Sequence, residues 1–151
     1  MVHPYDVPAA ALLPRVANEL RQRNAVAPPV WASFARTGVH TQRAPSQPDW
    51  WYVRSASVLR KISLNGPSGI MRLASEYGGK RDRGSAPYHA RTASRSVLRE
   101  IVQQLEHAGL LQVQKNRGRR ISAEGQRLLD TTSKAILKEL AEKRPELAKY
   151  L

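Results

Sequence analysis

The sequence predicts a mainly α-helical protein, a winged-helix-like domain around a central amphipathic helix, with a short β-hairpin wing and additional N-terminal helices. Three observations predict it. Residues 49–62 are helical, apolar and basic at once. From that stretch onward the periodic segments run helix, helix, helix, two-stranded hairpin, helix, which is the winged-helix arrangement of helix-turn-helix modules. Finally, a net charge of +13 over 151 residues calls for an anionic partner, because like charges repel in a compact state.

Taken in order, residues 7–23 carry Val7, Leu12, Leu13, Val16, Ala17 and Leu20 at helical spacing, with Arg15, Glu19, Arg21, Gln22 and Arg23 between them. That is an amphipathic helix. Pro14 falls inside the pattern, so the helix is expected to kink there or effectively to begin there. Residues 27–35 read as a stiff Pro-Pro lead into a short helix anchored by Trp31 and Phe34, docking on the central helix. Residues 36–48 contain Gly38, His40, Arg43, Pro45, Ser46 and Pro48, have no period, and read as an extended connector.

The central helix opens at Pro48-Asp49, where an Asp side chain can accept from free backbone N–H groups. Winding it at about 100° per residue collects Trp51, Tyr52, Ser55, Ala56, Val58, Leu59 and Ile62 on a side to be buried, and Trp50, Arg54, Ser57, Arg60 and Lys61 on a cationic side. Trp50 is nevertheless expected in the core against the N-terminal helices, since wheels misplace first-turn residues. Trp31, Trp51, Tyr52 and Phe34 are expected there too. Next, the turn at 65–69 sets Pro67 at the start of a short helix through Ile70, Met71, Leu73, Ala74 and Tyr77, closed by Gly78-Gly79. Residues 80–93 read as a basic loop, too polar and too broken to pack. Residues 94–108 restore the helical period, with Val97, Leu98, Ile101, Leu105 and Ala108 on one face and Arg99, Gln103 and His107 opposite. Gly109 stops that helix. Residues 110–121 then alternate as a hairpin wing with a basic tip, and Ser122 caps a last long helix ending near Pro145.

One domain is expected: N-terminal helices and connector over 1–48, the winged-helix core over 49–141, and a tail over 142–151. No apolar run approaches the roughly 18 residues of a membrane span, no signal-peptide pattern is seen, and no membrane partner is expected. With no cysteine, disulfides, zinc-finger sites and thiol nucleophiles are excluded. His3, His40, His89 and His107 are scattered without ligand spacing, so neither a metal nor another cofactor is expected. No serine, histidine and carboxylate set or phosphate-cradling loop suggests an enzyme.

The charge is focused. Residues 80–120 hold ten Lys or Arg against three Asp or Glu, a surplus of seven out of the thirteen. Arginine suits phosphate because its planar guanidinium donates two parallel hydrogen bonds. The candidate nucleic-acid-binding set is therefore Arg54, Arg60 and Lys61 on the central helix; Lys80, Arg81, Arg83, His89 and Arg91 in the loop; Arg95 and Arg99 on the third core helix; and Lys115, Arg117, Gly118, Arg119 and Arg120 in the wing.

At Asp49-Trp50-Trp51-Tyr52-Val53-Arg54, Leu59-Arg60, Tyr77-Gly78-Gly79-Lys80 and Gly118-Arg119-Arg120-Ile121-Ser122-Ala123-Glu124-Gly125, with Tyr5-Asp6-Val7-Pro8 and Pro28-Pro29-Val30-Trp31 before them, the chain resembles the S19e family of small-subunit ribosomal proteins, in its archaeal branch. The resemblance implies a winged-helix core in the head of the small subunit, bound to ribosomal RNA beside neighbouring ribosomal proteins, in the cytoplasm. It also implies a part in late maturation of the subunit. Arg54, Arg60, Arg99 and the wing around Gly118 match the family's basic surface, and Trp50 matches a tryptophan with a folding role. Pro14 departs from the family's uninterrupted first helix.

The expected mechanism is structural. Helix stripe, loop and wing neutralise closely spaced phosphates of RNA read by shape and backbone, the loop ordering only on RNA, and the free protein is monomeric. A winged-helix DNA regulator is the alternative, because Arg99, Gln103 and His107 could reach base edges. The long insertion between the second and third helices argues against standard major-groove docking. An RNA-processing enzyme would need a catalytic cluster the sequence does not hold.

Overall fold

The buried face of one helix organises the molecule. In the computed structural model, which describes residues 2–150, α2 (Trp50–Asn65) buries Trp50, Trp51, Ser55, Ala56, Val58, Leu59 and Ile62. This is the side expected from the helical wheel, with Trp50 added and Tyr52 left half-buried. It packs against α1 (Ala9–Gln22), α4 (Arg95–His107), α5 (Ala123–Lys143) and strand β4 (Gly118–Ile121). Each fully buried Leu or Ile here contributes about 1.5–3 kcal/mol relative to exposure. Between α2 and α4 lie the short α3 (Ile70–Glu76) and the strands β1 (Gly79–Arg83) and β2 (Ala86–Arg91); β3 (Leu111–Gln114) precedes β4. The described residues thus form five α-helices and two separate antiparallel hairpins, a mainly α fold.

Several elements differ from expectation, each for a local reason. Asp49 stands before α2 but does not cap it with its side chain. Its φ of −94° and ψ of 14° lie outside the extended region a capping side chain needs, and its carbonyl instead accepts from the amides of Tyr52 and Val53 at 3.1 and 3.3 Å. Helix α1 begins at Ala9, so Pro14 lies within it and does not start it. Pro14 sits on the exposed side, where the carbonyl left without a partner can turn to water. The short helix Val30–Ser33 is a 3₁₀ turn in which Ala32 is buried and Trp31 half-buried. Phe34 is not the core anchor it was expected to be: it leaves that turn at φ −125° and is 72% exposed.

Trp31 and Trp50 both present edges to Trp51, with ring centroids 5.5 and 5.3 Å away. The Trp51 Nε1 donates to Gln104 Oε1 at 3.1 Å, and Gln104 also exchanges hydrogen bonds with the Ala27 backbone. One polar side chain of α4 therefore ties the N-terminal segment and the central tryptophan together. Arg15 on α1 forks onto Glu139 on α5, one arm at 2.7 Å. The connector 36–48 is also anchored, since Gly38 bridges to Ala93 and Ser94 donates its amide to Thr37 at 2.8 Å.

Helix α3 starts after Gly69 rather than at Pro67. The cause is Ser68, whose backbone exchanges hydrogen bonds with Arg119 at 2.9 and 3.1 Å and so joins the edge of β4. Residues 80–93 are the larger correction: most of this stretch is a β-hairpin rather than an irregular loop. Its ladder pairs Gly79 with Arg91, Lys80 with Ala90 and Arg81 with His89, and Asp82 Oδ1 accepts from the Gly84 amide at 2.8 Å in the turn. The backbone ladder and the Asp82 turn bond define this ribbon, for almost all its residues are exposed.

Downstream the elements fall where expected. Helix α4 buries Val97, Leu98, Ile101, Val102 and Leu105 and exposes Arg99, Gln103 and His107. It ends at Gly109, φ +74°, where the Leu110 amide reaches back to Leu105 at 3.0 Å, a glycine-terminated C-cap. Ser122 caps α5 by accepting from the Gly125 amide at 3.0 Å. That helix continues to Lys143, and the expected tail includes a 3₁₀ turn, Pro145–Tyr150. Among the described residues no helix is long and apolar enough to cross a membrane.

Candidate nucleic-acid interface

The candidate cations divide into three exposed groups and one half-covered group. Lys80, Arg81, Arg83, His89 and Arg91 are all exposed on the β1–β2 hairpin. Arg95 and Arg99 are exposed on α4, and Lys115, Arg117 and Arg120 at the tip and outer side of the β3–β4 hairpin. Local sequence explains each. The α4 cations occupy the polar face of an amphipathic helix, and the second tip turns at Asn116 and Gly118, both with positive φ (63° and 100°). Gly118 contributes backbone only: a Cβ there would lie 2.5 Å from the Ser68 carbonyl oxygen.

Arg119 is engaged inward, its Nε 3.3 Å from Glu106 on α4, with both side chains about a third exposed. Arg120 stands across the ladder from Gln112 and donates to its Oε1 at 3.4 Å. The Arg36 and Arg99 side chains share an open depression of about 390 Å³ with Trp31, Ala35, Ser96 and Glu100. Arg36 did not stand out in the sequence, because only the fold brings the connector beside α4.

On α2 the expected open cationic stripe is half-covered. Tyr77, at the end of α3, lies under both Arg54 and Lys61, with the guanidinium carbon 4.5 Å and the ammonium 4.2 Å from its ring centroid. Its hydroxyl pairs with Ser57 at 2.7 Å, and Lys61 also meets Glu76 at 3.2 Å. Burial lowers the Arg54 guanidinium pKa from its ordinary value and raises that of the Tyr77 phenol, since burial disfavours each charged form. Arg60 is half-buried, with its Nε enclosed and without a hydrogen-bond partner. The central helix therefore uses much of its charge to hold α3. Trp50 and Trp51 are buried beneath it, and Trp31 is half-buried.

No cluster of metal-ligating side chains occurs among the described residues. The arrangement is a set of arginines and lysines on two β-ribbons and one helix face, suited to binding phosphate rather than to bond-making.

Residues 3–139 match the family described as ribosomal protein S19e. The chain belongs to that family. Among similar proteins, the small ribosomal subunit protein eS19 of Aeropyrum pernix is 51% identical over the full length of both chains. That of Haloarcula marismortui is 39% identical over 97% of each. The eS19A protein of Schizosaccharomyces pombe is 42% identical, covering 91% of this chain and 95% of its own. As an S19e member the chain is a structural protein of the small ribosomal subunit and not an enzyme. That membership also decides against the two rival readings, the DNA regulator and the RNA-processing enzyme.

Proposed function

We propose that the chain binds small-subunit ribosomal RNA in the head of the subunit, in cytoplasmic ribosomes, beside other head proteins, and that this seating is needed for late maturation of the subunit. The observation that carries the reading is the first hairpin, a ribbon bearing Lys80, Arg81, Arg83, His89 and Arg91 with neither face covered by protein. An isolated two-stranded ribbon is marginal in water, so its many cations find their use against a polyanion.

The α4 pair Arg95 and Arg99 and the wing residues Lys115, Arg117, Arg119 and Arg120, with backbone approach at Gly118, extend the interface. On α2, Arg60 reaches RNA, while Arg54 and Lys61 join it at the rim of the Tyr77 cluster. Contacts fall mainly on phosphate and sugar, since RNA helices are read by shape and backbone. The fold reading is a single winged-helix domain with its N-terminal helices and tail. It is supported by the order α2, Ser68, α3, α4, β3, β4, in which Ser68 supplies the short strand that pairs with the wing.

The test is a salt titration of the purified chain on small-subunit ribosomal RNA and on duplex DNA of equal length, beside an Arg81→Glu, Arg91→Glu variant. Preference for the RNA at physiological salt, lost in the variant, supports the reading. Equal or tighter binding to DNA, unchanged by the variant, overturns it.

A further inference from the structure

The two faces of the first hairpin differ in chemistry. Residues directly opposite in an antiparallel ladder share a face, and neighbours along a strand alternate. Arg81 stands opposite His89, and Arg91 opposite Gly79, so one face is a row of cationic and imidazole side chains. Lys80 stands opposite Ala90, and alternation along β2 puts Tyr88 on their side. The ladder passes from Arg81–His89 to Arg83–Ala86 with an irregularity, which sets Pro87 and Tyr88 together against Asp82. A bulge of this kind re-aims a side chain. Tyr88 is 60% exposed. Asp82, the one acid in residues 79–91, is turned to the Gly84 amide at 2.8 Å.

We infer that the Tyr88 face holds an unpaired RNA nucleotide, its base stacked on the Tyr88 ring and its phosphate against the Lys80 ammonium. Ala90, the smallest side chain on that face, leaves the space beside the ring. Arg81, His89 and Arg91 on the opposite face meet the backbone of a second RNA segment, so the ribbon lies between two. Bases inside an A-form helix are closed to such a ring, whereas splayed bases stack on exposed aromatics. The surplus of cations on the ribbon, Lys80, Arg81, Arg83 and Arg91 against Asp82 alone, favours RNA over a protein neighbour. The inference rests on the ribosomal RNA reading above and deepens it.

Fluorescence anisotropy of the full chain on a uridine single strand and on a blunt RNA duplex of equal length tests it. Tyr88→Ala is expected to lose about tenfold in affinity for the single strand, with Tyr88→Phe retaining it and the duplex affinity of all three proteins equal. The salt slope stays the same in Tyr88→Ala because no charge is removed. Tyr88→Ala binding the single strand as tightly as the unchanged protein overturns the inference alone. If the unchanged protein prefers no RNA over duplex DNA, the ribosomal RNA reading fails and takes this inference with it.

Discussion

The two hairpins are similar in length and in charge, yet they belong to the molecule in different ways. The β3–β4 hairpin buries Leu111 and half-buries Ile121, packs β4 on α2, takes Ser68 on its edge, and pairs Arg119 with Glu106 of α4. In the β1–β2 hairpin, only Gly79 and Ala86, one on each strand, are even partly covered, at the root and near the turn, and the ribbon pairs chiefly with itself. What separates them is not charge but apolar side chains: one inward-facing leucine and isoleucine make the wing part of the core. The wing presents its cations from a fixed platform and the first hairpin presents them on an arm. Changes in the wing should therefore move stability first, and changes in the arm should move binding first.

The largest effect is expected at the glycines of the two turns. Gly118→Val forces a Cβ to within 2.5 Å of the Ser68 oxygen at a φ of +100°. Left-handed strain and overpacking together should cost at least about 3 kcal/mol, lowering Tm by about 10 °C. Gly84→Val meets the same kind of turn, φ +69°, with nothing within 4 Å of the added Cβ. Its strain stays in the arm, and calorimetry should show the main transition unmoved. Equal falls in Tm would break the comparison.

Slightly smaller is Leu111→Ala, which should cost about 3 kcal/mol by leaving a cavity under the wing. Tyr88→Ala, the exposed counterpart on the arm, should leave the denaturant midpoint within error. A large drop for Tyr88→Ala would mean that the arm packs on the core after all.

This contrast also explains what could be read from sequence. Features built from one local run were legible: the Ser122 cap, the Gly109 stop, the apolar face of α4 and the existence of the β3–β4 hairpin. The arm was not, because a strand is recognised by apolar alternation and Lys80 through Arg91 is mostly charged, small or polar, with no apolar side to bury. Ser68 joins β4 through backbone alone, so no side-chain pattern announces it. Tyr77 reads as part of the apolar face of α3, yet its two cations come from α2. Their spacing was the available signal, since Arg54 and Lys61 stand two helical turns apart on one face. The candidate cations were visible as residue types, but which were exposed and which engaged depended on tertiary neighbours such as Glu106 and Tyr77.

Charge reversal sharpens the comparison on the binding side. Arg81→Glu with Arg91→Glu on the arm, and Lys115→Glu with Arg117→Glu on the wing tip, change exposed side chains only. Each pair should reduce affinity for small-subunit ribosomal RNA and flatten the salt slope by roughly 1 to 2 for the two lost cations, with Tm unmoved. Arg119→Glu is different in kind: it sets a carboxylate against Glu106, now 3.3 Å from the Arg119 Nε, and should lower Tm as well. An Arg119→Glu protein of unchanged Tm would show that the wing is held by Leu111, Ile121 and Ser68 without that pair.

The finest effect is in hydrogen exchange of the free protein. Amides of β3 and β4 open only with the core and should exchange at rates near those set by global unfolding, whereas amides of β1 and β2 need only the arm to open. Because a lone two-stranded ribbon is marginal, arm amides should exchange orders of magnitude faster while α2 and α4 remain protected. Adding ribosomal RNA should then slow the arm far more than the wing, since only the arm gains a second source of order. Equal protection of the two hairpins without RNA would show that the root contacts, Gly38 with Ala93 and the His40 ring beside Gly79, fix the arm as firmly as Leu111 fixes the wing. The arm's cations would then be as preorganised as those of the wing.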